Sequence, residues 1–312
     1  MAGHGSNRTI LVALAANVGI AVAKFVAAGI TGSSSMLTEG VHSLVDSTNH
    51  LLLLYGRKRA AKAPDAMHPF GYGRELYFWA FVVAILVFAL GAGISVYEGV
   101  LHILSPEPAE SPMIAFVVLG IAFLLETWST LAALKDFNAA RRGTIWQEIR
   151  GTKDATTLVI LLENTGALIG LVVAAMGLSL SLLTGNPVWD GLASVVIGLV
   201  LGVLAVLLLF EAKGLLIGES ADPELVAKIR ACASAHDGIE AVLDVMTVHA
   251  SPEMVTVIIS ADFSDTLTAR GVEQIVADIE REISVTYPIV AHVYVRPQDA
   301  KAAKPLPPER GA

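Results

Sequence analysis

A single cysteine, Cys232, stands among 312 residues. That excludes an intramolecular disulfide framework and any paired-cysteine metal motif of the CxxC kind. Charge is also scarce. Asp, Glu, Lys and Arg make up 16% of the chain, where a soluble domain carries roughly a quarter. The formal net charge of −8 offers no basic surface for nucleic acid. No GxxxxGK[ST] phosphate loop occurs and there is no room for a nucleotide domain, which speaks against an ATP-driven pump. The apolar segments hold no nucleophile with a partnered base, so an enzyme is not expected. The chain has no internal repeat and no low-complexity segment, and nothing in it calls for a resident cofactor.

What the chain does have is apolar length. Hydrophobic residues make up 54% of it. Apolar runs fall at about 9–30, 36–56, 76–104, 112–134, 155–181 and 187–212. Each supplies the ~20 residues that cross a bilayer. Residues 1–8 read as a short polar tail. The run after them is too long for a signal-peptide core, so it reads as a retained helix. The loop after the second run carries Arg57, Lys58, Arg59, Lys62 and Arg74. The loop after the fourth carries Lys135, Arg141, Arg142, Arg150 and Lys153. The loops after the third and fifth runs have neither Lys nor Arg. The positive-inside rule then puts both termini in the cytoplasm, which requires an even number of spans. The expectation is an α-helical membrane protein with six transmembrane helices over 9–216. Trp79, Trp128, Trp146 and Trp189 read as interface anchors.

Composition shifts near Ser220. Asp222-Pro223-Glu224 is a helix start, with Asp as N-cap and Pro at the first helical position. The pattern predicts a helix over 223–236, strands over 241–249 and 254–263, a helix over 268–285 and a strand over 289–295. That order predicts a small α+β domain over 220–298, with its helices on one face of the sheet. Residues 299–312, with three prolines, read as a disordered tail.

The chemistry concentrates in the second run. His42 and Asp46 are four residues apart, one helical turn, and share a face. Ionisable groups within a span are costly and mark ion pathways. Imidazole plus carboxylate is half of a site for a borderline divalent metal such as zinc. As a satisfied polar pair they would be expensive structural glue.

The ordered set of motifs resembles the cation diffusion facilitator family, over about 10–297. The pieces are Asn17, Lys24 and Thr31-Gly32-Ser33, then Glu39 followed by His42-xxx-Asp46. His68-Pro-Phe-Gly71-Tyr-Gly73-Arg74-Glu75 comes next, then Pro187-Val-Trp-Asp190 and Leu215-Leu-Ile-Gly218-Glu219-Ser-Ala221. Glu75-Leu-Tyr-Phe-Trp79 and the fifth run look more like its zinc transporter nine-like branch. The resemblance implies six spans, cytoplasmic termini, a ferredoxin-like cytoplasmic domain and a homodimer held by that domain.

One departure stands out. Family members place a second His-xxx-Asp or Asp-xxx-Asp on span five, and this chain has none. Thr156 and Ile160, or Thr157 and Leu161, occupy those positions. The one acid deep in the fifth run is Glu163, followed by Asn164. Glu163 shares a face with Thr156 seven residues earlier, whereas Asp154 points the opposite way. The candidate metal ligands are therefore His42, Asp46, Glu163 and Asn164. For Glu163 the structural alternative is an interhelical bond or a pair with a lysine such as Lys24; for Asn164 it is an interhelical hydrogen bond. Accessory or pathway candidates are Asn49, one turn beyond Asp46, and Glu39. Asp65 and His68 align with second-site ligands of some members, but the third such position is Tyr72. His50 resembles a non-ligand position. Glu98, His102 and Glu126 read as packing or pathway residues. His236, His249, His292, Asp262 and Asp265 lack ligand spacing and read as solvated.

The resemblance implies a secondary transporter that exports a divalent metal, Zn²⁺ first, in exchange for protons. Mn²⁺, Fe²⁺, Co²⁺ and Cd²⁺ are alternatives, because a His with two carboxylates suits them too. A non-transporting metal sensor is a further one. The expected address is a bacterial inner membrane.

Overall fold

The computed structural model describes residues 3–107, 111–140 and 155–300, with backbone alone at 3–13, 15–16, 133, 136–140 and 155–157. Arg141, Arg142, Trp146, Arg150, Lys153 and Asp154 lie outside the described residues, as do the side chains of Thr156 and Thr157 and residues 301–312 of the tail. The chain divides into two compact units, Met1–Lys213 and Gly214–Ala312.

The first unit is helical. Helix α1 (Gly3–Thr31) is followed by α2 (Ser34–Ala60). Next come α3 (Glu75–Leu86), a π-helical turn at Val87–Ala92, and α4 (Gly93–Leu104), which form one continuous rod. Then come α5 (Pro112–Ala140), α6 (Ala155–Thr184) and the start of α7 (Val188–Ile217). Four stretches are long and apolar enough to cross a membrane: Glu75–Leu104, Pro112–Ala132, Leu158–Thr184 and Val188–Ile217. Helix α1 is apolar over Asn17–Thr31. Helix α2 is long enough but carries Glu39, His42, Asp46 and Asn49, which lower its mean hydropathy. Its length of 27 residues spans about 40 Å at 1.5 Å per residue.

Local chemistry sets the ends of α2. Gly32 takes φ +65°, a left-handed turn open to glycine, and reverses the chain between α1 and α2. Ser33 is the N-cap, and its hydroxyl accepts from the Met36 N–H at 3.2 Å. The same hydroxyl donates to Asp190 on α7 at 3.0 Å, and the Ser35 N–H reaches that carboxylate at 3.2 Å. Asp190 thereby ties the start of α7 to the start of α2. At the other end, Arg57, Lys58 and Arg59 occupy the last turn, where cations complement the helix dipole.

Helix α2 is the hub. It packs on α1, α3, α4 and α6, while α5 packs on α1 and α6. Helix α7 meets α4 through glycines. A methyl group on Gly99 would lie 2.7 Å from the Gly191 carbonyl oxygen, so the two backbones can touch only because neither position has a side chain.

In the second unit, α8 (Pro223–Ser234) is capped by Asp222, whose carboxylate accepts from the Glu224 N–H at 2.7 Å. Strands β1 (Ile239–Ser251) and β2 (Met254–Phe263) form an antiparallel hairpin. Helix α9 (Ala269–Thr286) then returns the chain to β3 (Val290–Pro297), which pairs parallel to β2. The sheet order is β1-β2-β3. Helix α8 packs on β1, α9 packs on β3, and the helices pack on each other. Val255, Val257, Ile259 and Ala261 alternate along β2 and join Ile229, Ala233, Ile279 and Ile283 in one core. The result is a small α+β domain with a three-stranded sheet, its element order as expected.

Cys232 sits at the α8–α9 contact. Partial burial, with the Glu282 carboxylate adding to it, pushes its thiol up to about 11. The thiolate fraction at neutral pH falls with every unit the thiol is raised. Maleimide labelling of the metal-free protein should therefore be about a hundredfold slower at pH 7.5 than for a free cysteine, and should accelerate as pH rises toward 11. Labelling at the free-thiol rate, measured by intact mass, would contradict this environment.

Candidate metal site

His42 and Asp46 are buried on one face of α2, as their spacing requires. His42 Nδ1 lies 3.5 Å from Asp46 Oδ1. That is an ion-pair distance, but neither atom makes a hydrogen bond. Helix α6 brings Glu163 to the same region. The Asn49 amide donates to Glu163 Oε1 at 2.6 Å. Two turns further along α6, Gly170 leaves room for the Glu39 carboxylate, which would collide with any side chain there. Helices α2 and α6 thus run antiparallel, with Glu39 opposite Gly170 and Asn49 opposite Glu163.

Several atoms in this cluster have no hydrogen-bond partner among the described residues. They are both ring nitrogens of His42, Asp46 Oδ1, Asn49 Oδ1, Glu163 Oε2 and Glu39 Oε1. Buried polar atoms are nearly always paired, and each exception needs an explanation. Here the exceptions run along α2 from Glu39 to Asn49, with Glu163 at the Asn49 end, and their ligand atoms do not close on a single point in this structure; they supply imidazole nitrogen and carboxylate or amide oxygen. That is the donor set of a borderline divalent metal.

Residues 10–217 match the cation efflux transmembrane domain. The chain belongs to the cation efflux family. Cation efflux relatives include the mitochondrial proton-coupled zinc antiporter SLC30A9 of Mus musculus, 33% identical over 244 residues, covering 77% of this chain and 43% of that protein. Metal tolerance protein C4 of Arabidopsis thaliana is 34% identical over 227 residues, 72% of this chain and 50% of that one. The manganese efflux system protein MneP of Bacillus subtilis is 22% identical over 300 residues, 93% and 95% of the two chains. This chain spans about half or less of the length of the mouse and plant proteins. Family membership and the four strongly apolar helices make it a multi-pass helical membrane protein.

Other candidates of this cation efflux protein fall in different places. Asn164 is buried, but its amide donates to Ser129 on α5 at 3.2 Å, the interhelical bond that its position also allowed. His50 Nδ1 contacts the Asp46 carbonyl oxygen at 2.7 Å, which ties it to the α2 backbone. Asp65 and His68 sit together in the loop after α2, yet Asp65 is already engaged. Its carboxylate accepts from Tyr72 Oη at 2.7 Å, Lys62 Nζ at 2.9 Å and the His68 N–H at 2.9 Å. The Tyr72 hydroxyl first, then Lys62, holds the Asp65 carboxyl well below its usual range. Near the end of α4, His102 Nε2 comes within 4.0 Å of Asp190.

Two further features bear on the site, of which sequence reasoning missed the first. Lys24 is fully buried and pairs with Glu39, Nζ to Oε2 at 2.9 Å, while also donating to Ser43 at 2.8 Å. It does not pair with Glu163, for which a lysine partner is only the structural alternative to metal binding. Glu126, read as a packing or pathway residue, is buried and close enough to act electrostatically on both Asp46 and Glu163. It is the acid of the fourth apolar run, and intramembrane acids are functional candidates by default.

The Lys24–Glu39 pair carries a stability prediction. Both side chains are fully buried. Removing one partner of such a pair typically costs about 3–5 kcal/mol, because the other charge stays buried. Lys24→Met should lower stability by that order in an SDS-titration unfolding experiment, and Lys24→Met with Glu39→Gln should recover most of it. Singles indistinguishable from wild type would show that the pair is not buried as described.

Proposed function

We propose that this chain is a secondary transporter that exports a divalent transition metal, Zn²⁺ foremost, from the cytoplasm in exchange for protons. The observation that carries the reading is the set of unpartnered donors on His42, Asp46, Asn49 and Glu163 along the α2–α6 contact, which must draw together to hold one ion. The relatives named as a proton-coupled zinc antiporter and a metal tolerance protein support it. Zinc binds through neutral imidazole and ionised carboxylate, so loading the site releases protons. His42 is the softer ligand, Asp46 and Glu163 supply the charge, and the amide oxygen of Asn49 completes a sphere of about four. Glu39, held by Lys24, lines the pathway.

The architecture we assign is six spans over 9–216 with both termini in the cytoplasm, a ferredoxin-like cytoplasmic domain over 220–298 that holds a homodimer, and placement in a bacterial inner membrane. The loop charges support the orientation. Transport alternates inward-open and outward-open forms by rocking of helix groups around the site. The oxygen-rich donor set favours one second reading, Mn²⁺ as the cargo, as in the name of the Bacillus subtilis relative.

Proteoliposomes with a pH dye inside test both readings. Zn²⁺ uptake should be matched by proton movement in the opposite direction and should need no ATP. A larger flux with Mn²⁺ than with Zn²⁺ would reassign the cargo. Absence of flux with every divalent ion in the panel would reject transport.

A further inference from the structure

A second cluster of donors lies in the C-terminal unit, on the helical side of its sheet. Cys232 is in the last turn of α8, His236 is four residues on, just past the helix end, and Glu282 projects from α9. The Cys232 Sγ, a His236 ring nitrogen and a Glu282 carboxylate oxygen all lie within 4.8 Å of one another. Donors bound to one tetrahedral zinc at 2.0–2.3 Å stand about 3.3–3.8 Å apart, so small side-chain rotations bring these three onto one ion. His236 Nε2 is 2.9 Å from Glu282 Oε2, yet that buried nitrogen forms no aligned hydrogen bond. A His–Glu pair serving only to join two helices would align its N–H with the carboxylate. An unsatisfied Nε2 beside a carboxylate is open to a cation that both can ligate.

We infer that Cys232, His236 and Glu282 form a binding site for a zinc-like divalent ion that bridges α8 and α9. The donors are one sulfur, one nitrogen and one oxygen, a mixed set that suits zinc, cobalt or cadmium and disfavours calcium and magnesium. Three protein ligands leave the fourth position to water, and an open site exchanges its ion more readily than a closed four-ligand one. It shares no residue with the cluster on α2 and α6 and does not depend on the transport reading.

Because Cys232 is the sole cysteine, any thiolate-to-cobalt charge-transfer band must arise from it. The probe is Co²⁺, titrated into detergent-solubilised full-length protein carrying Asp46→Ala, so that the transmembrane cluster does not compete. A near-ultraviolet charge-transfer band should grow to saturation, vanish on adding Zn²⁺, and be absent from Cys232→Ser. His236→Gln and Glu282→Gln should each weaken cobalt binding at least about tenfold, with far-ultraviolet circular dichroism unchanged. His236→Asp, which keeps a ligand, should retain the band at reduced affinity. No band at saturating Co²⁺ with the thiol shown to be reduced would overturn the site. So would a band whose affinity is unchanged in either His236→Gln or Glu282→Gln, since the cysteine would then be binding cobalt alone.

Discussion

Asp46→Ala should abolish metal flux while leaving the protein folded and inserted. Asp46 lies on the buried face of α2, 3.5 Å from His42, with one carboxylate oxygen that no hydrogen bond satisfies. Alanine is a good helix former, so α2 has no reason to break. What is lost is the carboxylate that neutralises the cation next to the imidazole. Outer-shell ligand losses alone cost about 10–100-fold in metal affinity, and a directly bound carboxylate should cost more than about a hundredfold. Zinc flux in proteoliposomes should fall to the protein-free background, with an unchanged elution profile on size exclusion. Near wild-type flux would move the site away from α2 altogether. Asp46→Asn, which keeps the shape without the charge, should be almost as defective, because the role is electrostatic.

Glu163→Gln is the second large effect. Glutamine can keep the link to Asn49 by accepting through its amide oxygen, so the α2–α6 contact survives. It cannot ionise, and it binds zinc poorly compared with a carboxylate. Zinc affinity should drop by about tenfold or more, and the proton released on zinc binding should fall along with it. Isothermal titration in two buffers of different ionisation enthalpy reads both quantities at once. Wild-type values for both would remove Glu163 from the site and pass its role to Glu126, the other acid near Asp46. Rescue offers a complementary test. Thr156→His with Ile160→Asp, or the same pair one residue on at Thr157 and Leu161, would restore the usual span-five pattern. Either pair should recover flux in a Glu163→Ala protein if α6 faces α2 as described.

Much of the helical unit was legible because its signals are local. Apolar runs at 36–56 and 76–104 became helices Ser34–Ala60 and Glu75–Leu104, apart from a π-helical turn that no spacing encodes. In the C-terminal unit, alternation along Met254–Phe263 and the Asp222-Pro223 cap marked their elements to within two residues. The facing of His42 and Asp46 followed from 3.6 residues per turn. The partners of those groups did not. Lys24 could have met Glu163 as readily as Glu39 on composition alone. Which one it meets depends on the rotation of α1 against α2.

The sequence by itself determined that this chain lives in a membrane, roughly where its helices lie (although α1 already begins at Gly3, inside the stretch read as a tail, and α5 and α7 run on past the apolar runs), and that one face of α2 carries an imidazole and a carboxylate. Those are properties of contiguous residues, set by hydropathy and helical periodicity. Only the tertiary structure decided that Lys24 holds Glu39, that Asn49 holds Glu163, that Glu126 joins the acids around Asp46, and that Cys232, His236 and Glu282 converge. Lys24 and Glu39 are 15 residues apart and Asn49 and Glu163 are 114 apart. Contacts at such separations depend on how helices are offset and rotated when they pack. That is fixed by where small residues such as Gly170 and Gly99 let two backbones approach, and no single segment contains that information.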